Sequence, residues 1–451
     1  MSPLAVSFAA TGALLLVAGA FGTLAARALH PGADRGPERT GWGICLGLSA
    51  VGLSALIASL GGPEPRLGFA MLAVALLSIG WFSARQEAAG PPVVSSGQPL
   101  RPAHILLQVS ILAGVLFYTA RALIRPMGSI DFLAIWGLKG RSIFSAGAIP
   151  AWLSSSELAG FSHPEYPLGL PLLYAGIAGV VGTWDDHAMA LLFPVFQIAT
   201  LLVLYGWLRR RGTERGVALT ATTLLALFEP LYSGFLTGMA DVPLSLAMLL
   251  LGTALSDAID GTDRRALFRL AVASLLASSL KNEGLFLSAV AAAVAILSGG
   301  NTDRTRRFRV ALAAAIPAIA LTALVRAVRG AAPLRDFDFG LISPSRFGEL
   351  LGRVGETISI DFHIAARAWI LLPAIALLLA TGVAAPWATR QLGLAAAALA
   401  VYLALPAFAV LGPVWLAETT LFRTAAALAP LAAAGIAGRF APAGSARDLR
   451  S

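Results

Sequence analysis

Residues 268–299 read FRLAVASLLASSLKNEGLFLSAVAAAVAILSG. From Leu270 onward, charge interrupts this apolar run only at Lys281 and Glu283. A helix that crosses a bilayer needs about 20 mostly apolar residues, because the hydrocarbon core is about 30 Å thick and each residue rises about 1.5 Å. The stretch therefore reads as two short spans, 268–281 and 284–299, joined by Lys281-Asn282-Glu283-Gly284. Charges inside such a run cost several kcal/mol unless paired or hydrated, and mark function by default. A plain turn between two spans is the bland alternative, although turns favour Gly, Asn and Pro over a Lys beside a Glu.

The pattern extends along the whole chain. Of its 451 residues 57% are hydrophobic and only 13% charged, where soluble domains carry about a quarter charged residues. Mean hydropathy is +0.78. Further spans are expected near 4–27, 41–60, 67–83, 104–123, 188–208, 217–236, 242–257, 310–328, 366–387, 391–412 and 421–438. The fold class is an all-α polytopic membrane protein of about 13 transmembrane helices, since an open sheet edge cannot be hydrogen-bonded in lipid. Residues 1–30 lack the basic start of a cleavable signal peptide and read as a first span. The single cysteine, Cys45, sits in an apolar stretch and excludes a disulfide framework or thiol metal site.

Net charge is +9, but the arginines fall in short runs between spans, where they set topology and do not point to nucleic acid. Arg209–Arg211 with Arg215, then Arg264, Arg265 and Arg269, then Arg304, Arg306, Arg307 and Arg309, then Arg390, then Arg439, Arg447 and Arg450 recur at every second loop. The positive-inside rule places these in the cytoplasm. The loops around Asp241, Lys281–Gly284, 329–365 and 413–420 then face out. The short apolar segment 167–183 carries Pro167 and Pro171. Read as a re-entrant or interfacial helix, it keeps the polar stretch 124–166 outside with the rest. Within that stretch Phe132, Ile135, Trp136, Leu138 and Ile143 have the spacing of a helix lying on the membrane surface.

Four polar clusters sit at expected outer boundaries. Asp131 with Trp136, Lys139 and Arg141 follows the span ending near 123; a simple loop acid is the alternative reading of Asp131. His163-Pro-Glu165-Tyr166-Pro167 leads into the short apolar helix, where His163 is either functional or an interfacial polar residue. Gly238-Met-Ala-Asp241-Val-Pro243 opens a span with an acid that is either functional or an N-cap. Lys281–Gly284 is the fourth.

In this order the clusters resemble the GT-C superfamily of polyprenyl-phosphate-sugar-dependent glycosyltransferases, especially bacterial members of the mannosyltransferase and aminoarabinose-transferase type. Asp131 with Trp136 and Lys139 is similar to the family's outer-loop aspartate and W-x-x-K element. His163–Pro167 resembles an H-P-x-Y-P element, Ala240–Pro243 an A-D-x-P element, and Lys281–Gly284 a K-N-E-G element. Arg423 with Pro430 resembles a late arginine that opens the final span. The likeness covers roughly 105–438, so 104–438 reads as a GT-C-like catalytic module. Residues 1–103 then form N-terminal helices of unassigned role and 439–451 a cytoplasmic tail.

The resemblance implies transfer of a sugar, with inversion, from a polyprenyl-phosphate donor to a glycan, lipid or protein acceptor on the outer face of the plasma or inner membrane. Asp131 is the implied base. Lys281, Arg423, His163 and Lys139 would bind donor phosphate or sugar, with Asp241, Glu283, Glu165 and Tyr166 in support. Ser129 and Ile130 precede Asp131 where many relatives carry a second acid, which leaves a divalent ion (Mg or Mn) open. A secondary transporter is the alternative, as is a non-catalytic scaffold for envelope assembly. A transporter would show inverted repeats and charges near the midplane, and no repeat is visible.

Overall fold

A computed structural model describes residues 2–30, 36–87, 101–125, 127–155, 160–261, 265–298, 303–329, 338–367, 385–410, 412–416, 420 and 422–441. In chain order the α-helices are α1 (Pro3–Ala25), α2 (Gly36–Ser59), α3 (Pro65–Glu87), α4 (Pro102–Ile124), α5 (Gly137–Ala146), α6 (Gly169–Val181), α7 (Asp186–Met189), α8 (Leu192–Arg210) and α9 (Arg215–Ala226). They continue as α10 (Asp241–Asp260), α11 (Ala266–Leu280), α12 (Glu283–Leu297), α13 (Arg304–Arg329), α14 (Phe347–Arg367), α15 (Pro386–Ala404), α16 (Pro413–Leu416), α17 (Phe422–Ala427) and α18 (Ala429–Gly438). No β-strand occurs among the described residues.

Among the described residues, eight stretches are long and apolar enough to cross a membrane: Pro3–Ala28, Gly36–Ser59, Pro65–Arg85, Pro102–Ile124, Asp186–Arg210, Asp241–Asp260, Arg304–Ala327 and Pro386–Phe408. Helices α6, α11, α12 and α18 are apolar but shorter. The chain is thus an all-α protein with the helices of a multi-pass membrane protein. The span expected at 366–387 lies almost wholly outside the described residues, as do 330–337 of the second long loop and the tail beyond Ala441.

The axis of the bundle is α10, in which every residue from Asp241 to Ile259 is buried. A helix apolar on all sides must be enclosed by others. At about 1.5 Å per residue, Asp241 and Asp257 stand about 24 Å apart along it, so α10 has two polar ends. At one end Asp257 accepts from Arg211 at 2.6 Å, Arg210 at 2.7 Å and Arg269 at 3.0 Å. Arg210 also pairs with Glu38 at 2.7 Å, and Asp260 pairs with Arg211 and Arg390. Arg265 and Arg269 donate to the carbonyls of Ala28 and Leu29, where α1 runs out and bare carbonyls favour cations. The arginine runs around 209–211, 265–269 and 390, expected on one face, meet here.

Helices α1 and α2 touch backbone to backbone. A Cβ on Gly22, Gly43 or Gly47 would overlap the facing main chain, as in the small-residue helix contacts typical of lipid. Gly41 and Gly206 allow the same closeness between α2 and α8. Gly80 of α3 likewise lies close to the main chain of Leu24 in α1, so the first three helices are packed into the bundle.

Three expected elements differ in the structure. The span 217–236 is helical only to Ala226, and 227–240 are turns. Pro230 cannot donate its share of helix hydrogen bonds, and Gly238 adopts φ +96°. The last span is split, because α17 stops at Ala427 and α18 starts afresh at Ala429 with Pro430 in its first turn. The segment 131–144 does not lie on a membrane surface with its apolar side in lipid. Phe132, Ile135, Trp136 and Ile143 are buried in protein, Phe132 edge-on to Tyr174 at 5.7 Å and Phe144 tilted against Trp184 at 6.3 Å. Its apolar side is covered by α6. Helix α6 itself starts beside Ser279 and ends beside Arg66, so it packs inside the bundle near the Asp241 end of α10.

Replacing Gly47 by Ala should lower the melting temperature in detergent, costing about 1–3 kcal/mol through overpacking. Gly12→Ala, whose Cβ would meet open space, should change stability by no more than about 0.5 kcal/mol. Equal shifts would contradict the close α1–α2 contact.

Candidate functional site

The other end of α10 gathers charges from three distant segments around its own Asp241. Asp241 is the first residue of the helix and is completely buried. It does not cap the helix, since the N-cap is Ala240 and no side-chain capping bond forms. Instead its Oδ1 accepts from Lys281 Nζ at 3.4 Å and its Oδ2 from Arg423 Nη2 at 3.1 Å.

Lys281 stands where α11 stops. Its backbone is extended, at φ −157° and ψ 153°, and α12 restarts at Glu283. Gly284 then turns so tightly that a Cβ would overlap the carbonyl of Ala277, which is why the element ends in glycine. Lys281 Nζ also pairs with Glu283 Oε1 at 2.7 Å. At 15 residues each, α11 and α12 reach only about 22 Å, short of a bilayer core of about 30 Å. Neighbouring α13, with 26 residues, is longer. The lysine stands at the junction of the two short helices. Its charge is tolerable there only because two carboxylates meet it.

Arg423, in α17, extends the network. The same Nη2 that meets Asp241 donates to Asp131 Oδ2 at 2.7 Å. Asp131 precedes a single π-helical turn, Phe132–Trp136, in which the Gly137 N–H reaches the Phe132 carbonyl. Such turns insert one residue into a helix and recur at functional sites. Ser129 Oγ accepts from the Phe132 N–H at 3.2 Å and fixes the start of the segment. The result is an alternating chain, Asp131, Arg423, Asp241, Lys281, Glu283, with two cations facing three carboxylates.

Beside it stands a second cluster. His163 Nδ1 lies 3.1 Å from Glu165, and its ring stacks on Tyr166 at 4.7 Å. Tyr166 stacks in turn on Trp136 at 5.4 Å. His163 holds φ +50°, a left-handed conformation unusual for a residue other than glycine. Lys139 was expected to offer its ammonium to a phosphate. It is fully buried, and its Nζ donates to the His163 carbonyl at 2.6 Å, so it braces that strained backbone. Sequence motifs thus located two groups. Asp131, Asp241, Lys281, Glu283 and Arg423 form one ion-pair network, while Lys139, His163, Glu165 and Tyr166 form an aromatic cluster tied to it through the 131–136 turn.

Further donors were not singled out from the sequence. Tyr402 on α15 is 5% exposed, its hydroxyl has no hydrogen-bond partner among the described residues, and the charges of Glu283 and Asp241 bear on it. Arg423 Nε and Trp136 Nε1 are likewise buried without a partner among them. Buried donors left unmet cost about 1–3 kcal/mol each, and the two at the charged cluster, on Tyr402 and Arg423, suit an oxygen-rich ligand. A lone tyrosine within the apolar run 391–412 was the one legible trace. No three His, Cys, Asp or Glu side chains group as a metal site among the described residues. The two cations separate Asp131, Asp241 and Glu283, so the residues here do not fit the divalent ion left open above.

The chain matches no protein-family model, no curated protein and no solved structure.

Lys281→Met leaves Asp241 and Glu283 without a shared cation and should destabilise the protein by about 3–5 kcal/mol. Adding Glu283→Gln and Asp241→Asn should recover most of that loss in thermal unfolding. A triple variant as unstable as the single would show that the charges are not coupled.

Proposed function

We propose that this protein is a membrane glycosyltransferase. It would move a sugar from a polyprenyl-phosphate donor to an envelope acceptor at the Asp241 end of the bundle, on the extracytoplasmic side of the plasma or inner membrane. One observation carries the reading: the charged residues of the Asp131, Ala240–Pro243, Lys281–Gly284 and Arg423 elements share one ion-pair network. That network stands about 24 Å from the arginine-rich end, which the positive-inside rule assigns to the cytoplasm.

A lipid-linked donor presents its phosphate at the membrane boundary, with its tail in lipid and its sugar in water. Asp131, the most exposed carboxylate of the network at 27%, takes the proton of an acceptor hydroxyl or amine. The acceptor heteroatom forms its bond to the anomeric carbon as the carbon–oxygen bond to phosphate breaks. The electron pair leaves with the phosphate. Arg423 and Lys281 stabilise the charge that develops there, the kind of term that usually dominates such reactions. A single base implies one displacement and inversion, unlike the two-carboxylate scheme of retaining hydrolases. Glu283 and Asp241 hold the two cations in place, and the His163–Tyr166–Trp136 stack supports the turn that carries Asp131.

A transporter is the second reading. It is favoured by the breaks at 227–240 and 281–282, because transporters bind substrates at interrupted helices. Transfer from a radiolabelled polyprenyl-phosphate sugar in proteoliposomes, set against uptake of the same label, separates the two. Under the transferase reading, Asp131→Asn should reduce transfer at least about 10²-fold with donor binding not weakened. Undiminished turnover would remove Asp131 from the chemistry, and uptake without transfer would favour the transporter.

A further inference from the structure

We propose that Arg423 is an exchangeable counter-ion: the donor phosphate takes it from Asp131, so the base is uncovered only in the donor-bound protein and the acceptor binds second. The inference rests on the transferase reading.

Three observations carry it. First, among the described residues the network has no spare cation. Two positive groups already serve three carboxylates, so an added anion must displace one of them or remain uncompensated in a poorly hydrated site. Second, the pairs are unequal. Asp241 is 1% exposed and keeps Lys281 if Arg423 turns away, whereas Asp131 is 27% exposed and Arg423 is its one charged partner among the described residues. Water can solvate Asp131 on release, so this pair costs least to open. Third, both sides of the pair have somewhere to go. Arg423 uses one nitrogen, Nη2, for both carboxylates, while its Nε is buried with no partner among the described residues. That leaves an N–H for a second phosphate oxygen, the two-point contact that favours arginine at phosphates. Asp131 stands at the head of a π-turn, one residue out of step with an α-helix. Tightening that turn rotates Asp131 about the helix axis without unfolding α5.

The exchange gives the site an order. Without donor, the carboxylate that would deprotonate an acceptor is neutralised by Arg423. With donor, the same arginine faces the phosphate, and Asp131 is free to accept a proton.

The probe is a polyprenyl phosphate without sugar, bound to the full-length protein in nanodiscs. Asp131→Asn, which removes the competing carboxylate, should bind it about ten-fold tighter than wild type, because Arg423 then gives up no charge-assisted hydrogen bond to Asp131 on binding. Arg423→Ala should lose saturable binding. In wild type, saturating polyprenyl phosphate should accelerate carbodiimide modification of Asp131, read by peptide mass spectrometry. Simple loss of negative charge would also tighten binding in Asp131→Asn, but would leave that modification unchanged. Unchanged or slower modification with binding intact therefore overturns the exchange alone. Absence of saturable binding to wild type overturns the transferase reading and the exchange with it.

Discussion

A fully buried carboxylate at the head of an enclosed helix can stay ionised only if cations are brought to it, and Asp241 is such a group. Its two oxygens face Lys281 and Arg423, from segments 40 and 182 residues away in the chain. Much of the surrounding architecture follows from delivering those cations. Helix α11 stops early so that Lys281 falls at its tip. Gly284 lets α12 fold back at once, and the short α17 enters beside α10 to place Arg423. The turns at 227–240 bring α10 to the same depth. Gly238 packs there against Met127 and Phe132, and its carbonyl accepts from Tyr174 at 3.1 Å.

The two ends of α10 use ion pairs differently. At the arginine-rich end Asp257 is surrounded by three guanidinium groups and by Trp207, all nearly inaccessible. Such an arrangement locks helices together, because removing any partner strands a buried charge. At the Asp241 end the chain of charges has an accessible terminus, Asp131, and a strained His163 backbone beside it. Backbone strain tends to persist where function requires it. One end of α10 is thus an enclosed cluster, and at the other end the network keeps one carboxylate, Asp131, within reach of solvent.

Much of this was legible in the sequence, for identifiable reasons. Composition and run length locate the long helices, because hydrocarbon thickness sets a length that few other constraints imitate. Arg209–Arg211, Arg265 and Arg269 marked one end through charge alone. Asp131, Asp241 and Lys281 stood out because charge beside apolar runs is costly, and cost implies purpose; Arg423 was picked out only by the family resemblance. What stayed hidden depends on packing. The apolar face of 131–144 fits lipid or protein equally well by periodicity, and only α6 shows that protein covers it. Lys139 looked like another phosphate cation, since nothing local reveals that its ammonium reaches the His163 carbonyl. The early end of α9 was signalled by Pro230 and Gly238, but mean hydropathy outweighed them.

The central claim is that a lipid phosphate docks where Asp131, Arg423 and Lys281 meet. A polyprenyl phosphate carrying a photoreactive group next to its phosphate tests this directly in nanodiscs. After illumination and digestion, labelled peptides should come from 131–136, 281–284 and 422–427, and non-reactive polyprenyl phosphate should compete the label away. Label spread without competition over the lipid-facing helices, or confined to the arginine-rich end, would contradict the assignment.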